Sequence, residues 1–257
     1  MIDAVLETAV DAARAAGALL VRGRAEGVRL ASRREADITT EVDLACERAI
    51  AELVRARHPD HGVVGEEGAS VASRSGWEWV VDPLDGTKNY AHGSLRCGVS
   101  IAVRREGETV AGVVFAPFVD ELYVATRGGG ARCNGAAIAA SSTSSLRDAM
   151  VASALSYAGY EADAAQLARV TRVFGAVQAL RSLGCAALDL CDVARGRLDA
   201  YFEPGLKPRD TAAGALIVLE AGGAVSDFSG APHAPSSPTM VASNGALHDA
   251  LREVMGA

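Results

Sequence analysis

Two aspartates, Asp82 and Asp85, follow an apolar run in the stretch WVVDPLDGTKNYAHG, residues 79–93. An isolated pair of acids at this spacing usually caps a helix and faces solvent. Here the two acids follow a strand-like run, and Pro83 fixes the backbone between them. The Gly-Thr pair that comes next begins a helix whose free N–H groups can hold an anion. Carboxylates beside an anion repel it unless a cation lies between them, and hard oxygen ligands are typical of Mg²⁺. The stretch therefore predicts Mg²⁺ that bridges the protein and a phosphate.

Other acids give weaker signals when each is taken alone. Glu66 and Glu67 lie in GEEG, where a solvated turn is the simpler interpretation. Asp210 in KPRDTAAG is placed to cap a helix, and Asp43 lies in a first helical turn, where it complements the helix dipole. Their joint occurrence, in this order along the chain, makes a shared function the better hypothesis.

These segments together resemble the inositol monophosphatase family. DPLDGTKNY resembles the first family signature, and GEEG resembles the metal-binding Glu-Glu turn upstream of it. DITTEVD resembles the Asp-x-Val/Ile-Thr-x-x-Asp segment, and PRDTAAGALIVLEAGG resembles the second signature. GRLDAYFEPGLKPRD carries a glutamate, Glu203, seven residues before Asp210. The resemblance spans roughly residues 35–245.

The resemblance implies two or three Mg²⁺ ions held by acidic side chains and one backbone carbonyl. The implied metal ligands are Glu66, Asp82, Leu84 through its carbonyl oxygen, Asp85 and Asp210. A looser third ion would use Glu66 and waters. Two-metal hydrolysis suits a phosphate monoester, whose uncatalysed hydrolysis enzymes accelerate by up to about 10²¹-fold. The sequence has no recognisable frame for a Cys, Ser or His nucleophile.

The resemblance also implies roles in catalysis and substrate binding. The implied catalytic residues are Asp43, Thr87 and Glu66, with Thr87 and Asp43 orienting and helping to deprotonate the attacking water. The implied substrate-binding residues are Asp85, Gly86, Thr87, Gly184, Cys185, Ala186, Glu203 and Asp210. For Glu203, a surface acid at a strand end is an equally good interpretation of the sequence alone.

Three basic residues bear on the substrate. Arg209 stands where the family usually has tryptophan, Arg96 follows NYAHG where an aromatic-proline pair is usual, and Lys207 lies nearby. They are either solvated side chains, the interpretation we prefer, or a pocket for a second anionic group. The expected substrate is a small polyol or sugar-type phosphate resembling inositol 1-phosphate. The alternatives are 3′-phosphoadenosine 5′-phosphate, fructose 1,6-bisphosphate, histidinol phosphate, or a non-catalytic binding role.

The element pattern mixes antiparallel hairpins with alternating strands and helices, which predicts stacked layers. Helices are expected over about 3–23, over the segment ADITTEVDLACERAIAELVRARHPD and over 161–180. The resemblance implies a five-layered αβαβα sandwich of the sugar-phosphatase type. We expect an α+β half over 1–145 with the larger antiparallel sheet and an α/β half over 146–257 with a smaller mixed sheet. The site would lie between them, in one compact unit.

Composition limits the partners. The 257 residues carry a net charge of −7, which argues against a nucleic-acid or anionic membrane surface as partner. The five cysteines lack CxxC spacing, which predicts free thiols in a reducing compartment, the cytoplasm. The first twenty residues predict an amphipathic helix and no signal peptide, and no apolar run is long enough to span a membrane. The resemblance implies a homodimer that acts on a small phosphate monoester.

Overall fold

The computed structural model describes residues 2–34, 37–154, 164–234 and 237–256. Its α-helices are α1 (Ile2–Glu26), α2 (Glu41–Arg57), α3 (Thr87–Ala91), α4 (Ala164–Ala176), α5 (Ala186–Ala194), α6 (Pro208–Glu220) and α7 (His248–Met255). The strands in the first part of the chain are β1 (Leu30–Arg34), β2 (Asp37–Thr40), β3 (Gly62–Val64), β4 (Ser70–Val71), β5 (Trp77–Asp85), β6 (Gly98–Arg105), β7 (Glu108–Ala116), β8 (Glu121–Thr126), β9 (Gly130–Cys133) and β10 (Ala136–Ala137). The later strands are β11 (Met150–Ser153), β12 (Ala179–Arg181), β13 (Ala200–Pro204), β14 (Ala224–Ser226) and β15 (Thr239–Ser243).

Two sheets organise the chain. An eight-stranded sheet has the order β10-β9-β8-β7-β6-β5-β3-β4, antiparallel except for the β3–β5 pair. A five-stranded mixed sheet has the order β12-β11-β13-β15-β14. Strands β1 and β2 form a separate hairpin.

The helices form three layers around the two sheets. Helices α1 and α2 pack on each other and on the large sheet, whereas α5 and α6 pack together between the large and small sheets. Helices α4 and α7 pack together on the outer side of the small sheet. The order is therefore helices, sheet, helices, sheet, helices, and the expected five-layered sandwich is confirmed.

Buried residues form three clusters that fill the four interfaces between these five layers. One cluster joins α1 and α2 to the large sheet, and another joins α4 and α7 to the small sheet. The central cluster takes residues from both sheets and from α5 and α6. Close approach of α6 to the large sheet depends on Gly112, where an added Cβ would lie 2.9 Å from the Ala213 carbonyl oxygen. The middle layer thus packs tightly against β7, a strand of the same sheet as β5, which carries Asp82 and Asp85.

Several local predictions hold, and others need correction. Helix α2 begins after the N-cap Thr40 and ends at His58, as the caps indicate, but residues 37–40 form β2 and do not begin the helix. The expected helix over 161–180 is α4, whose first expected residues lie outside the described range, and Ala179–Arg181 form β12 instead. Three residues are too few to show the alternation of side chains that predicts a strand. Residues 179–181 form a strand because they pair with β11, which is distant in the sequence.

Candidate active site

A bulge at the end of β5 sets the direction of the two signature aspartates. Asp82 pairs with Ser100 of β6 and Asp85 pairs with Gly98, so three steps on β5 oppose two on β6. In a regular strand, residues three apart would face opposite sides of the sheet. Pro83 lies in the bulge, where its missing N–H costs no ladder hydrogen bond. Burial is the largest cause that raises the pKa of Asp82 and that of Asp85, and the negative charge of Asp210 raises both further.

Backbone donors fix the orientation of both carboxylates. The Leu84 N–H donates to Asp82 Oδ1 at 3.0 Å. Asp85 Oδ2 accepts the Ala187 N–H at 2.6 Å and the Cys185 thiol at 3.2 Å. Asp85, at the end of β5, therefore accepts hydrogen bonds from the N-cap and the first turn of α5. This acid links the middle helical layer to the large sheet.

Thr87 and Asp43 meet as the resemblance implies. The Thr87 hydroxyl lies 3.3 Å from Asp43 Oδ1 and 2.9 Å from the Leu84 carbonyl oxygen. Asp43 is buried, and its Oδ2 accepts the Thr40 N–H at 2.9 Å and also the Thr40 hydroxyl. Burial is the largest cause that raises the pKa of Asp43, to about 6. A hydroxyl paired with a carboxyl of near-neutral pKa is suited to orienting a water and accepting its proton.

The GEEG turn depends on a buried acid that the sequence analysis did not single out. Glu47 of α2 is 4% exposed, and its two carboxylate oxygens accept the N–H groups of Glu67 and Ala69, both at 2.7 Å. Burial is the largest cause that raises the pKa of Glu67, to about 7, and the Thr39 hydroxyl donates to it at 3.3 Å. The turn that presents Glu66 is therefore anchored from α2.

Replacing Glu47 by alanine should destabilise the protein by roughly 3 kcal/mol, because two backbone donors in the turn lose their charged acceptor. Urea unfolding followed by circular dichroism measures the change. Glu52→Ala, at an exposed position of the same helix, is the control and should change stability by less than about 0.5 kcal/mol. Equal effects in the two variants would contradict the anchoring role of Glu47.

Asp210 reaches the site from the start of α6. Pro208 is the first helical residue, and Asp210 Oδ2 accepts the Lys207 N–H at 2.7 Å, as a capping residue does. The Ser100 hydroxyl donates to the Arg209 carbonyl oxygen at 3.2 Å, which ties the helix start to β6 opposite Asp82. The N-cap of α6 is Lys207, so the N-cap interpretation of Asp210 is wrong in position: Asp210 is the third helical residue, and its carboxylate accepts the N–H of the N-cap residue.

The site is strongly acidic. Burial is the largest cause that raises the pKa of Asp82, followed by the charges of Glu66, Asp85 and Asp210. Burial also raises the pKa of Asp85, to about 7, and that of Asp210. The positive charge of Arg209 acts in the opposite direction and lowers the pKa of Asp82. The three aspartates thus favour the neutral form in this place, and a cation among them would favour the ionised form.

The donor set fits Mg²⁺, because Mg²⁺ takes carboxylate and carbonyl oxygens and these four acids supply them from three separate segments. As the side chains stand, no group of three or more His, Cys, Asp or Glu residues in the described ranges is arranged to hold a metal ion. Glu66 accounts for part of this, since its Oε1 accepts a hydrogen bond from Arg209 Nη2 at 2.7 Å. The predicted ligands therefore lie close enough to shift one another's pKa, but their side chains do not form a coordination shell.

The predicted substrate residues border the same acids. Gly86 has a left-handed φ of 85°, and an added Cβ there would lie 3.0 Å from the Arg96 carbonyl oxygen and 3.3 Å from Cys185 Cβ. Cys185 is buried at the N-cap of α5. The positive φ and this crowding explain glycine at position 86.

Glu203 is more than a surface acid at a strand end. It is half-buried, and the Tyr201 hydroxyl donates to its Oε2. Burial is the largest cause that raises the pKa of Glu203, to about 8, and the charges of Asp85 and Asp210 contribute. Glu203 therefore lies within electrostatic reach of the predicted metal ligands.

Arg96 is neither a solvated side chain nor free for a second anion. It forms ion pairs with Asp189 and, at 2.8 Å, with Asp192 of α5. Asp189 is buried, and its charge raises the pKa of Asp85 and of Glu203. Lys207 is exposed, as the solvated interpretation expects, whereas Arg209 is paired with Glu66. Sequence analysis missed Asp189, and its place in the first turn of α5 beside GCA was the available signal.

The comparisons with known proteins identify the chain as a phosphoric monoester hydrolase. The profile of the inositol monophosphatase family matches residues 1–256, and the chain belongs to that family. The inositol-1-monophosphatase of Rhizobium meliloti (strain 1021) is 37% identical over 256 residues, which cover 98% of this chain and 96% of that protein. The Nus factor SuhB of Pasteurella multocida (strain Pm70) is 39% identical over 232 residues, with coverage of 89% and 87%.

A solved structure agrees with this assignment. The crystal structure of the extragenic suppressor protein suhB from Bartonella henselae matches with a TM-score of 0.93 and 34% identity, and the match covers 98% of each chain. Among the described residues, no helix is long and apolar enough to cross a bilayer. All five cysteines are buried free thiols.

Proposed function

We propose that the protein is a Mg²⁺-dependent phosphomonoesterase that hydrolyses a small polyol or sugar-type phosphate, similar to inositol 1-phosphate, to the alcohol and inorganic phosphate. The observation that carries this proposal is that acids from three segments meet beside the Thr87–Asp43 pair. Arg209 contacts Glu66 and Asp210, and its carbonyl oxygen accepts the hydroxyl of Ser100, the β6 partner of Asp82 on the strand that ends at Asp85. The relative from R. meliloti is named inositol-1-monophosphatase, which supports the substrate class.

The residues of the chain divide the work between orientation and binding. When bound, Mg²⁺ would supply Lewis acidity to a water and to the leaving oxygen. Asp43 holds the Thr87 hydroxyl toward the Leu84 carbonyl oxygen, so Thr87 orients the water and Asp43 takes its proton. The N–H groups of Gly86 and Thr87 hold phosphate oxygens, and Glu203 accepts hydrogen bonds from substrate hydroxyls. The segment from Gly184 to Ala186 lines the same pocket.

Other substrates of the same chemistry are 3′-phosphoadenosine 5′-phosphate, fructose 1,6-bisphosphate and histidinol phosphate. Phosphate release from these esters, inositol 1-phosphate and other metabolite monoesters should be measured with Mg²⁺ and again with excess EDTA. We expect the highest kcat/KM for a polyol or sugar monophosphate and no release with EDTA. Release that is unchanged by EDTA would exclude the metal mechanism.

A non-catalytic role is the second candidate, because several relatives are named Nus factor SuhB. The presence of Asp43, Thr87 and the four predicted metal ligands favours catalysis. Absence of phosphate release from every ester in the panel, by protein that binds Mg²⁺, would favour the second candidate instead.

Lithium should inhibit the hydrolysis, as the family resemblance implies. Initial rates at fixed Mg²⁺ and increasing LiCl, with NaCl and KCl at equal ionic strength as controls, test this expectation. Equal effects of the three salts would contradict it.

We also propose that the protein acts as a homodimer in the cytoplasm. The buried free thiols support a reducing compartment. The dimer is supported by the family resemblance. Analytical ultracentrifugation should give a mass of twice the 26.4 kDa chain, and a monomer at micromolar concentration would contradict the proposal.

A further inference from the structure

Arg209 directs its positive charge into the acidic site. Its Nη2 donates to Glu66 Oε1 at 2.7 Å, and its Nε lies 3.7 Å from Asp210 Oδ1. The side chains of Arg209, Glu66 and Asp210 are 30%, 27% and 20% exposed, so water screens these contacts only in part. Two predicted metal ligands are therefore engaged by one guanidinium.

The position of this guanidinium is set by the backbone. Arg209 is the second residue of α6, directly before Asp210, and its carbonyl oxygen accepts the Ser100 hydroxyl at 3.2 Å. The family usually has tryptophan at this position, which carries no charge. The charge of Arg209 also lowers the pKa of Asp82, so it acts on a third acid of the site.

We propose that Arg209 is the resident counter-cation of the acidic site: it neutralises Glu66 and Asp210 when no divalent cation is bound, and it must release Glu66 before this carboxylate can bind one. This inference rests on the proposed function, because it concerns the same metal ligands. It explains why these acids affect one another's pKa but do not form a coordination shell. The affinity of the site for divalent cations then depends on which residue stands at position 209.

The test is the affinity for Mn²⁺, a spectroscopic substitute for Mg²⁺, measured from the electron paramagnetic resonance signal of the free ion. Removal of a positive charge a few ångströms from the acids should strengthen binding. We expect Arg209→Gln to bind Mn²⁺ about tenfold more tightly than the unaltered protein. Arg209→Lys keeps the charge and should remain within about threefold of the unaltered protein.

Thermal unfolding gives a second measurement without activity. In EDTA, Arg209→Gln should unfold at a lower temperature than the unaltered protein, because the acids lose their counter-charge. Saturating Mn²⁺ should raise its Tm by more than it raises that of the unaltered protein. Arg195→Gln is the control: Arg195 is 35% exposed and pairs with Glu121 at 2.5 Å, so its loss should leave Mn²⁺ affinity unchanged.

The outcomes separate the two proposals. Equal or weaker Mn²⁺ binding by Arg209→Gln, with binding intact in the unaltered protein, overturns the role of Arg209 and leaves the proposed function standing. Absence of Mn²⁺ binding in both proteins overturns the metal site and the role of Arg209 together. Tighter binding by Arg209→Gln but not by Arg209→Lys or Arg195→Gln supports the counter-cation.

Discussion

Replacing Asp85 by asparagine should reduce phosphate release by at least about 10³-fold while the protein remains folded. The amide loses the negative charge that a divalent cation needs, and removal of a charged group from a reacting centre typically costs this much or more. Its carbonyl oxygen can still accept the Ala187 N–H, which Asp85 Oδ2 accepts at 2.6 Å. Steady-state kinetics on the best ester of the panel provides the measurement.

Two controls make the Asp85 result specific. Asp249→Asn, at a side chain that is 96% exposed on α7, should keep full activity. Thermal unfolding of Asp85→Asn in EDTA should give a Tm equal to or above that of the unaltered protein, because burial and Asp210 oppose ionisation of Asp85. Turnover that survives in Asp85→Asn would contradict the assignment of Asp85 to the metal site.

The metal-free protein should lose stability as the pH rises from 6.5 to 8.5. Burial is the largest cause that raises the pKa of Glu67 and of Asp85 to about 7, and that of Glu203 to about 8. An acid whose pKa is higher in the folded state binds its proton more tightly there, so its contribution is full below the unfolded pKa and is lost as the pH rises through the folded pKa. The expected loss is roughly 2–3 kcal/mol.

The range from pH 6.5 to 8.5 avoids the histidines, whose contribution to stability changes with pH in the opposite direction. Burial lowers the pKa of the histidines His58, His61, His233 and His248, so their contribution to stability is lost below pH 6.5 and is constant above it. Urea unfolding in EDTA at pH 6.5 and 8.5 gives the change, and Glu203→Gln should reduce it. With saturating Mg²⁺ the loss should shrink, because ionised carboxylates bind the cation. Constant stability across this range in EDTA would show that the folded protein does not raise the pKa values of these acids.

The sequence was sufficient for the parts of the site that local patterns encode. Capping signals located the starts of α2 and α6, and so the positions of Asp43 and Asp210. The turn around GEEG and the strand before Asp82 followed from composition and spacing. The family resemblance supplied the idea that these segments meet, which no local pattern contains.

The remaining parts depend on contacts between distant segments. Strands β12 and β14 have three residues each and are defined by their pairing with β11 and β15. Glu47 looked like one more polar residue of an amphipathic helix, because its role depends on two N–H groups twenty and twenty-two residues away. The pairing of Arg209 with Glu66 crosses 143 residues, so side-chain type alone left its role open.

The packing of the middle helical layer limits which parts of the gene relatives can exchange. Its hydrophobic cluster takes residues from both sheets. Asn89 of α3 donates at 2.8 Å to the carbonyl oxygens of Arg96 and Leu183, one from the half over 1–145 and one from the half over 146–257. A gene fragment that encodes one sheet would therefore leave half of this interior open to water. Recombination between relatives should succeed when it exchanges surface loops. It should fail when the crossover falls near residue 145, because the two halves that pack on this layer would then come from different parents.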